Sequence, residues 1–293
     1  MCILLFLWQN HIALDKKLID LFIKNAIAED VGDGDHTSLS TIPQGTQGKA
    51  KLIVKEKGIL AGVELALEIF NQIDSSLKVE TFLNDGQEVN PGDIAFNVYG
   101  STHAILLAER LVLNCMQRMS GIATKTHRIV DALEGYKTKV LDTRKTTPGL
   151  RYLEKWAVRI GGGVNHRIGL YDMILIKDNH VDYAGGITNA INQANAYLKD
   201  TGKQLQIEIE VRNIEELQQV LAIGNVDRIM LDNFELPLLK QAVELINGRF
   251  LTEASGGIVE ENVADYADCG VDYISMGALT HSVKSLDLSL KAF

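Results

Sequence analysis

From residue 142 to residue 180 the chain reads DTRKTTPGLRYLEKWAVRIGGGVNHRIGLYDMILIKDNH. Arg144, Lys145, Arg151, Lys155, Arg159, Arg167 and Lys177 outnumber Asp142, Glu154, Asp172 and Asp178, and His166 and His180 add to the basic side. The chain as a whole runs the other way, with a formal net charge of -9. A cationic cluster in an acidic protein is the footprint of a site for a small, highly charged anion. Nucleic acid is a poor candidate, because the surrounding surface would repel it.

The elements that must position these groups show a rhythm. Residues 139–142, 173–177, 207–211, 228–232, 251–255 and 273–277 are short apolar, strand-like segments, and helical patterns cover 187–198, 214–222, 236–246 and 260–269. Strand and helix alternate at intervals of roughly 20–35 residues, the period of βα units. An open doubly wound sheet is the competitor. No Gly-x-Gly-x-x-Gly turn follows an early strand, however, and reactive residues end many strands rather than gathering at one switch point. A barrel is therefore expected, with its site at the rim where the strands end. That rim would hold the cations Arg144, Lys145 and Lys177, the carboxylates Glu210 and Asp232, and two glycine turns, Ser255-Gly256-Gly257 and the one at Gly277. Backbone N–H groups at such turns bind phosphate. Two acids beside a phosphate site point to Mg²⁺, which takes one or two carboxylates together with substrate phosphates.

The first part of the chain differs. A helix is expected over 15–29, followed by the acidic run EDVGDGD at 29–35. That run lacks the calcium-loop spacing and its distal Glu, so capping and turn formation is the better reading. Strand patterns at 49–60, 78–83 and 93–99 and a helical run at 63–73 describe a small α+β domain, with the boundary near residue 115. A helix over 103–133 is apolar nearly all round in its first half, which is the pattern of a buried helix. Arg110 is expected to be buried in it, opposite an anionic partner. Cys2, Cys115 and Cys269 form no CxxC pair, which argues against a zinc site and for a reducing compartment, hence a cytoplasmic protein. No run reaches the roughly 18–20 apolar residues of a membrane span. The apolar segment 2–8 has no basic flank and no small-residue cleavage site, so it reads as packing or contact surface rather than a signal peptide.

With these motifs in hand, the chain resembles the quinolinate phosphoribosyltransferase family. DTRKTTPGLR, GGGVNHR, LIKDNH, IEIEV, IMLDNF, EASGGI and GVDYISMGALTHS carry the resemblance in this order, and EDVGDGDHTS and AERLVLNCMQRMSGIAT precede them. It covers the chain from about residue 18 to residue 290. The resemblance implies an α/β protein: an N-terminal α+β sandwich domain (1–115) followed by an incomplete TIM-like α/β barrel (116–293) whose C-terminal end packs back on the first domain. It implies Mg²⁺-dependent transfer of phosphoribose from 5-phosphoribosyl-1-pyrophosphate to quinolinate. The products are nicotinate mononucleotide, pyrophosphate and CO₂, in de novo NAD synthesis. It places Arg144, Lys145, His166, Arg167 and Lys177 around quinolinate, with Arg110 joining from the neighbouring subunit of a homodimer or larger assembly. Glu210 and Asp232 serve the metal and ribose, Ser255, Gly256 and Gly277 the phosphate, and Lys145, Lys177, Glu210 and Asp232 the chemistry. Two other readings remain: an enzyme that phosphoribosylates nicotinate without losing CO₂, and a non-catalytic relative that binds a phosphorylated ligand.

Overall fold

The computed structural model describes residues 16–293; the apolar segment 2–8 and Cys2 lie outside the described residues. The chain divides into two compact units. One takes the described residues up to Lys125 together with Thr147–Gly162 and Val283–Phe293; the other takes Thr126–Thr146 and Gly163–Ser282. By contacts the first crossing between units falls at residues 125/126, and Thr147–Gly162 and the C-terminal segment return to the first unit. A single helix, Thr102–Ala132, runs through residue 115 without interruption, so the change of composition there marks no break in the chain.

The first unit contains strands β1 (Gln47–Val54), β2 (Gly58–Ile59), β3 (Lys78–Thr81), β4 (Glu88–Val89) and β5 (Ile94–Ser101). β1 pairs antiparallel with β5 on one side and with the closing strand Leu288–Ala292 on the other, and β3 pairs with β5. The helix Val63–Ile73 buries Leu65, Ala66, Ile69 and Phe70, and Phe70 meets Phe96 of β5 edge to face at 5.8 Å. Its helical spacing and the alternate burial of β1 form one core between helix and sheet. The acidic run ends as capping: Asp35 accepts from the Ser38 backbone N–H at 3.1 Å and opens the helix His36–Thr41.

The second unit contains β6 (Lys139–Leu141), β7 (Ile174–Ile176), β8 (Ile207–Val211), β9 (Arg228–Asp232), β10 (Leu251–Ser255) and β11 (Tyr273–Ser275). All pairings are parallel, in the order β6-β11-β10-β9-β8-β7. From β7 to β11 neighbours in sequence are neighbours in space, and the first strand, β6, lies beside the last. That is the order of a barrel, left open between β6 and β7, where only an isolated bridge from Leu141 to Val164 lies. The helices Ile187–Thr201, Ile214–Ile223, Leu236–Ile246 and Val263–Asp268 alternate with the later strands. Each is amphipathic enough to bury one face, as Leu239, Ala242 and Ile246 do in the third.

Candidate active site

All five residues of β8, IEIEV, are buried. Side chains alternate along a strand, so Ile207, Ile209 and Val211 take one face and Glu208 and Glu210 the other. Register extends that second face across the sheet: Glu208 lies opposite Arg228, Glu210 and Glu253 opposite Met230, and Ser255 opposite Asp232. Two polar groups result. Glu210, Asp232 and Ser255 lie toward the C-terminal strand ends. Glu208, Arg228 and Glu253 form the second group by contact rather than by register, with Arg228 Nη1 2.9 Å from Glu253 Oε2 and both carboxylates fully enclosed.

The first group meets the loops that follow the strands. Lys177, directly after β7, places Nζ 2.8 Å from Glu210 Oε2. Its backbone N–H donates to His180 Nδ1 at 2.9 Å, which fixes the turn into the helix Asp178–Ala184. Asp232 accepts from Asn233 Nδ2 at 2.6 Å. Asn233 has φ 57°, its backbone N–H donates to Ser255 O at 2.8 Å, and its side-chain oxygen fills the space a Cβ on residue 256 would need. Gly256 has φ +100°, a second reason for glycine there. A Cβ on Gly277 would meet Lys145 Cδ at 2.9 Å, so the lysine stem lies against that turn. Thr280 Oγ1 donates to Lys145 O at 2.8 Å and holds the two loops together.

The remaining cations come from the loop before β7. Asp142, buried at the end of β6, accepts from the His166 backbone N–H at 2.9 Å and from Asn165 Nδ2 at 2.5 Å. Arg167 is half-buried, and its Nη1 donates to Met173 O at 3.2 Å. Burial, and then the nearby Arg144, hold its pKa below the usual guanidinium value. Arg144 carries a buried Nε with no hydrogen-bond partner among the described residues. Two guanidiniums that repel each other, one with an unused buried donor, form a pocket that an anion completes.

The chain matches two family descriptions: "Quinolinate phosphoribosyl transferase, N-terminal domain" over residues 35–120 and "Quinolinate phosphoribosyl transferase, C-terminal domain" over residues 122–291. The chain belongs to the quinolinate phosphoribosyltransferase family. It is 50% identical over 284 residues to "Quinolinate phosphoribosyltransferase [decarboxylating] 2b, mitochondrial" of Nicotiana tabacum, covering 92% of this chain and 80% of that one. It is 43% identical over 283 residues to the "Probable nicotinate-nucleotide pyrophosphorylase [carboxylating]" of Bacillus subtilis, covering 96% of this chain and 94% of that one. The crystal structure of NadC from Streptococcus pyogenes superimposes with TM-score 0.90 at 39% identity, covering 97% of this chain and all of that one. Membership makes the protein an enzyme, a decarboxylating phosphoribosyltransferase of NAD biosynthesis.

Among the residues that the family motifs single out, Arg144, Lys145, His166, Arg167, Lys177, Glu210, Asp232, Ser255, Gly256 and Gly277 all belong to the barrel unit. His166 is 8% exposed and turned into the barrel. Its Nε2 lies 3.0 Å from Glu208 Oε2 and 3.5 Å from Glu253 Oε2, and its Nδ1 accepts the Arg167 backbone N–H at 2.7 Å. Arg110 belongs to the first unit and is a correction: it is exposed on the helix Thr102–Ala132 and makes no ion pair with any described residue of its own chain. The apolar pattern that predicts a buried guanidinium belongs to flanking residues such as Ala108 and Val112, which lie on the opposite helix face. For Mg²⁺ the donor chemistry fits. Glu210 and Asp232 are hard oxygen donors on neighbouring strands, and Glu210 Oε1 and Asp232 Oδ1 have no partner among the described residues. Glu208, Arg228, Glu253 and Asn233 are the residues that motif reading misses. Period-two spacing from Glu210 and Ser255 points to Glu208 and Glu253.

Proposed function

We propose that the protein joins quinolinate to 5-phosphoribosyl-1-pyrophosphate and then removes CO₂, giving nicotinate mononucleotide and pyrophosphate. The observation that carries this reading is the pair Arg144 and Arg167, two mutually repelling cations, of which Arg144 keeps a buried Nε donor without a partner among the described residues. Quinolinate has two adjacent carboxylates, and planar guanidiniums match them in charge and geometry. Nicotinate, with one carboxylate, would leave part of that charge uncompensated.

In this reading Arg144, Arg167, Lys145 and Lys177 surround the dianion, His166 stands behind Arg167 with both ring nitrogens turned to its own chain, and Ser255, Gly256 and Gly277 hold the 5-phosphate. The ring nitrogen attacks the anomeric carbon while the bond to pyrophosphate breaks and its electron pair leaves with the pyrophosphate. No activated nucleophile on the protein is needed, because the nitrogen lone pair does that work. Glu210 and Asp232 offset the positive charge that develops on the sugar, and Lys145 and Lys177 the negative charge on the leaving group. Mg²⁺ held by Glu210 and Asp232 would supply further charge neutralisation of the pyrophosphate. The carbon–carboxylate bond then breaks, CO₂ leaves, and a proton takes its place on the ring carbon. Arg110 reaches the site of a second subunit in a homodimer; its exposure, without an ion-pair partner among the described residues of its own chain, supports this. We place the reaction in the cytoplasm on the cysteine pattern, although the tobacco relative's name places that protein in mitochondria. No helix among the described residues is long and apolar enough to cross a membrane. Purified protein with quinolinate, phosphoribosyl pyrophosphate and Mg²⁺ should release labelled CO₂. Turnover of nicotinate in its place, or binding without turnover of either, would overturn the assignment.

A further inference from the structure

One cluster below the site takes no part in the steps above. Glu208, Glu253 and Arg228 project from three adjacent strands on the same face of the sheet. Arg228 Nη1 lies 2.9 Å from Glu253 Oε2 and 4.0 Å from Glu208 Oε2, and its guanidinium stacks on Tyr273 at 4.4 Å. His166 enters this cluster from the loop, facing both carboxylates. The three oxygen and nitrogen ligand atoms of His166, Glu208 and Glu253 lie within 4.8 Å of one another, the spacing of a metal site. Arg228 already supplies a cation there, which argues against a metal ion.

A different role follows from the chain that His166 belongs to. His166 and Arg167 sit on a loop, and loop residues are placed less firmly than residues on strands. The Arg167 backbone N–H can only donate, so His166 Nδ1 must accept, which leaves the ring proton on Nε2, toward Glu208. The imidazole is thus a rivet between the strand carboxylate and the Arg167 backbone. We infer that Glu208, Glu253 and Arg228 are positioning residues for quinolinate: through His166 they hold Arg167 in the geometry that grips the substrate carboxylates. This rests on the reading of Arg167 as a quinolinate contact. Glu208 and Glu253 orient the ring, and Arg228 keeps the two carboxylates from repelling each other. Loss of Glu208 is tolerable to the fold, because Glu253 can then ionise alone against Arg228.

The test is steady-state kinetics and calorimetry on the intact enzyme. In Glu208→Ala the KM and Kd for quinolinate should rise about tenfold or more, as expected for removing the buried carboxylate that faces His166 Nε2 at 3.0 Å, while the Kd for phosphoribosyl pyrophosphate stays within about twofold. Glu208→Gln, which keeps an oxygen facing Nε2, should recover most of the loss. A rise in both dissociation constants, or no recovery in Glu208→Gln, would mean general destabilisation and overturn the inference. If Glu208→Ala does not fold, ¹⁵N NMR of the wild-type histidine rings decides the matter. The proposed geometry requires a neutral Nε2–H ring at residue 166, and an Nδ1–H or doubly protonated ring would sink it. Wild-type enzyme that fails to use quinolinate would instead remove the underlying reading, with the cluster still measurable by NMR.

Discussion

Charge placed without an internal partner governs this site at the scale of residues. Arg144 and Arg167 repel each other, and the protein tolerates this because a ligand is expected to complete the pair. Arg144→Ala and Arg167→Ala should each weaken quinolinate binding by about 2–5 kcal/mol while sparing phosphoribosyl pyrophosphate. Calorimetry with each ligand checks this, and unchanged quinolinate affinity in both variants would refute it. Glu253 gives a second outcome. Burial, and then the neighbouring Glu208 carboxylate, push its carboxyl up to about 7, with the Arg228 guanidinium acting against the shift. An unfolded glutamate titrates near about 4.3, so folding takes up a proton between these values. The stability linked to Glu253 is therefore complete below the unfolded pKa and is lost as pH rises through about 7. Urea unfolding at pH 5 and pH 8 should show wild type losing more stability over this interval than Glu253→Gln, which cannot ionise; identical losses would contradict the linkage. At this scale the rim residues were legible because they form charged or glycine-rich motifs. Glu208, Arg228 and Glu253 were not, since they lie on three separate strands and only the folded distances bring the three together.

Strand and loop ends do the placing at the scale of elements. The period of βα units made the six barrel strands legible to within a residue or two, and the helix Leu236–Ile246 agrees with its periodic pattern at both ends. Less visible was the helix Arg151–Ile160, whose charged sequence hides an apolar face. So was Asn233, whose role depends on a left-handed backbone that composition does not announce. Asn233 joins two elements: its amide grips Asp232 at the end of β9, and its side-chain oxygen fills the space beside Gly256 after β10. Gly256→Ala should therefore strain the turn twice, by its φ of +100° and by collision with Asn233, at a cost of about 1–3 kcal/mol in stability. It should also weaken phosphoribosyl pyrophosphate binding more than quinolinate binding. Denaturant titration and calorimetry measure the two effects, and a variant with normal stability and normal affinity would show that the turn is not constrained as described.

Arg110 poses the question that belongs to the whole molecule. Its side chain is exposed on a long helix whose other face is core, and it makes no ion pair with any described residue of its own chain. Read from sequence, the apolar neighbours made it a buried ion pair; only the direction of each side chain around the helix shows otherwise. If Arg110 completes the site of a second subunit while Lys177 serves its own, Arg110→Ala and Lys177→Ala should each be nearly inactive alone. In a dimer built from one of each, two-fold symmetry gathers both lesions in one site and leaves the other intact. Random exchange makes about half of the dimers mixed, each with one working site of two, so co-refolded variants should recover roughly a quarter of wild-type activity. Mass spectrometry establishes that exchange has occurred. With exchange proven, a mixture as inactive as either parent would return Arg110 to its own subunit's site or remove it from catalysis altogether.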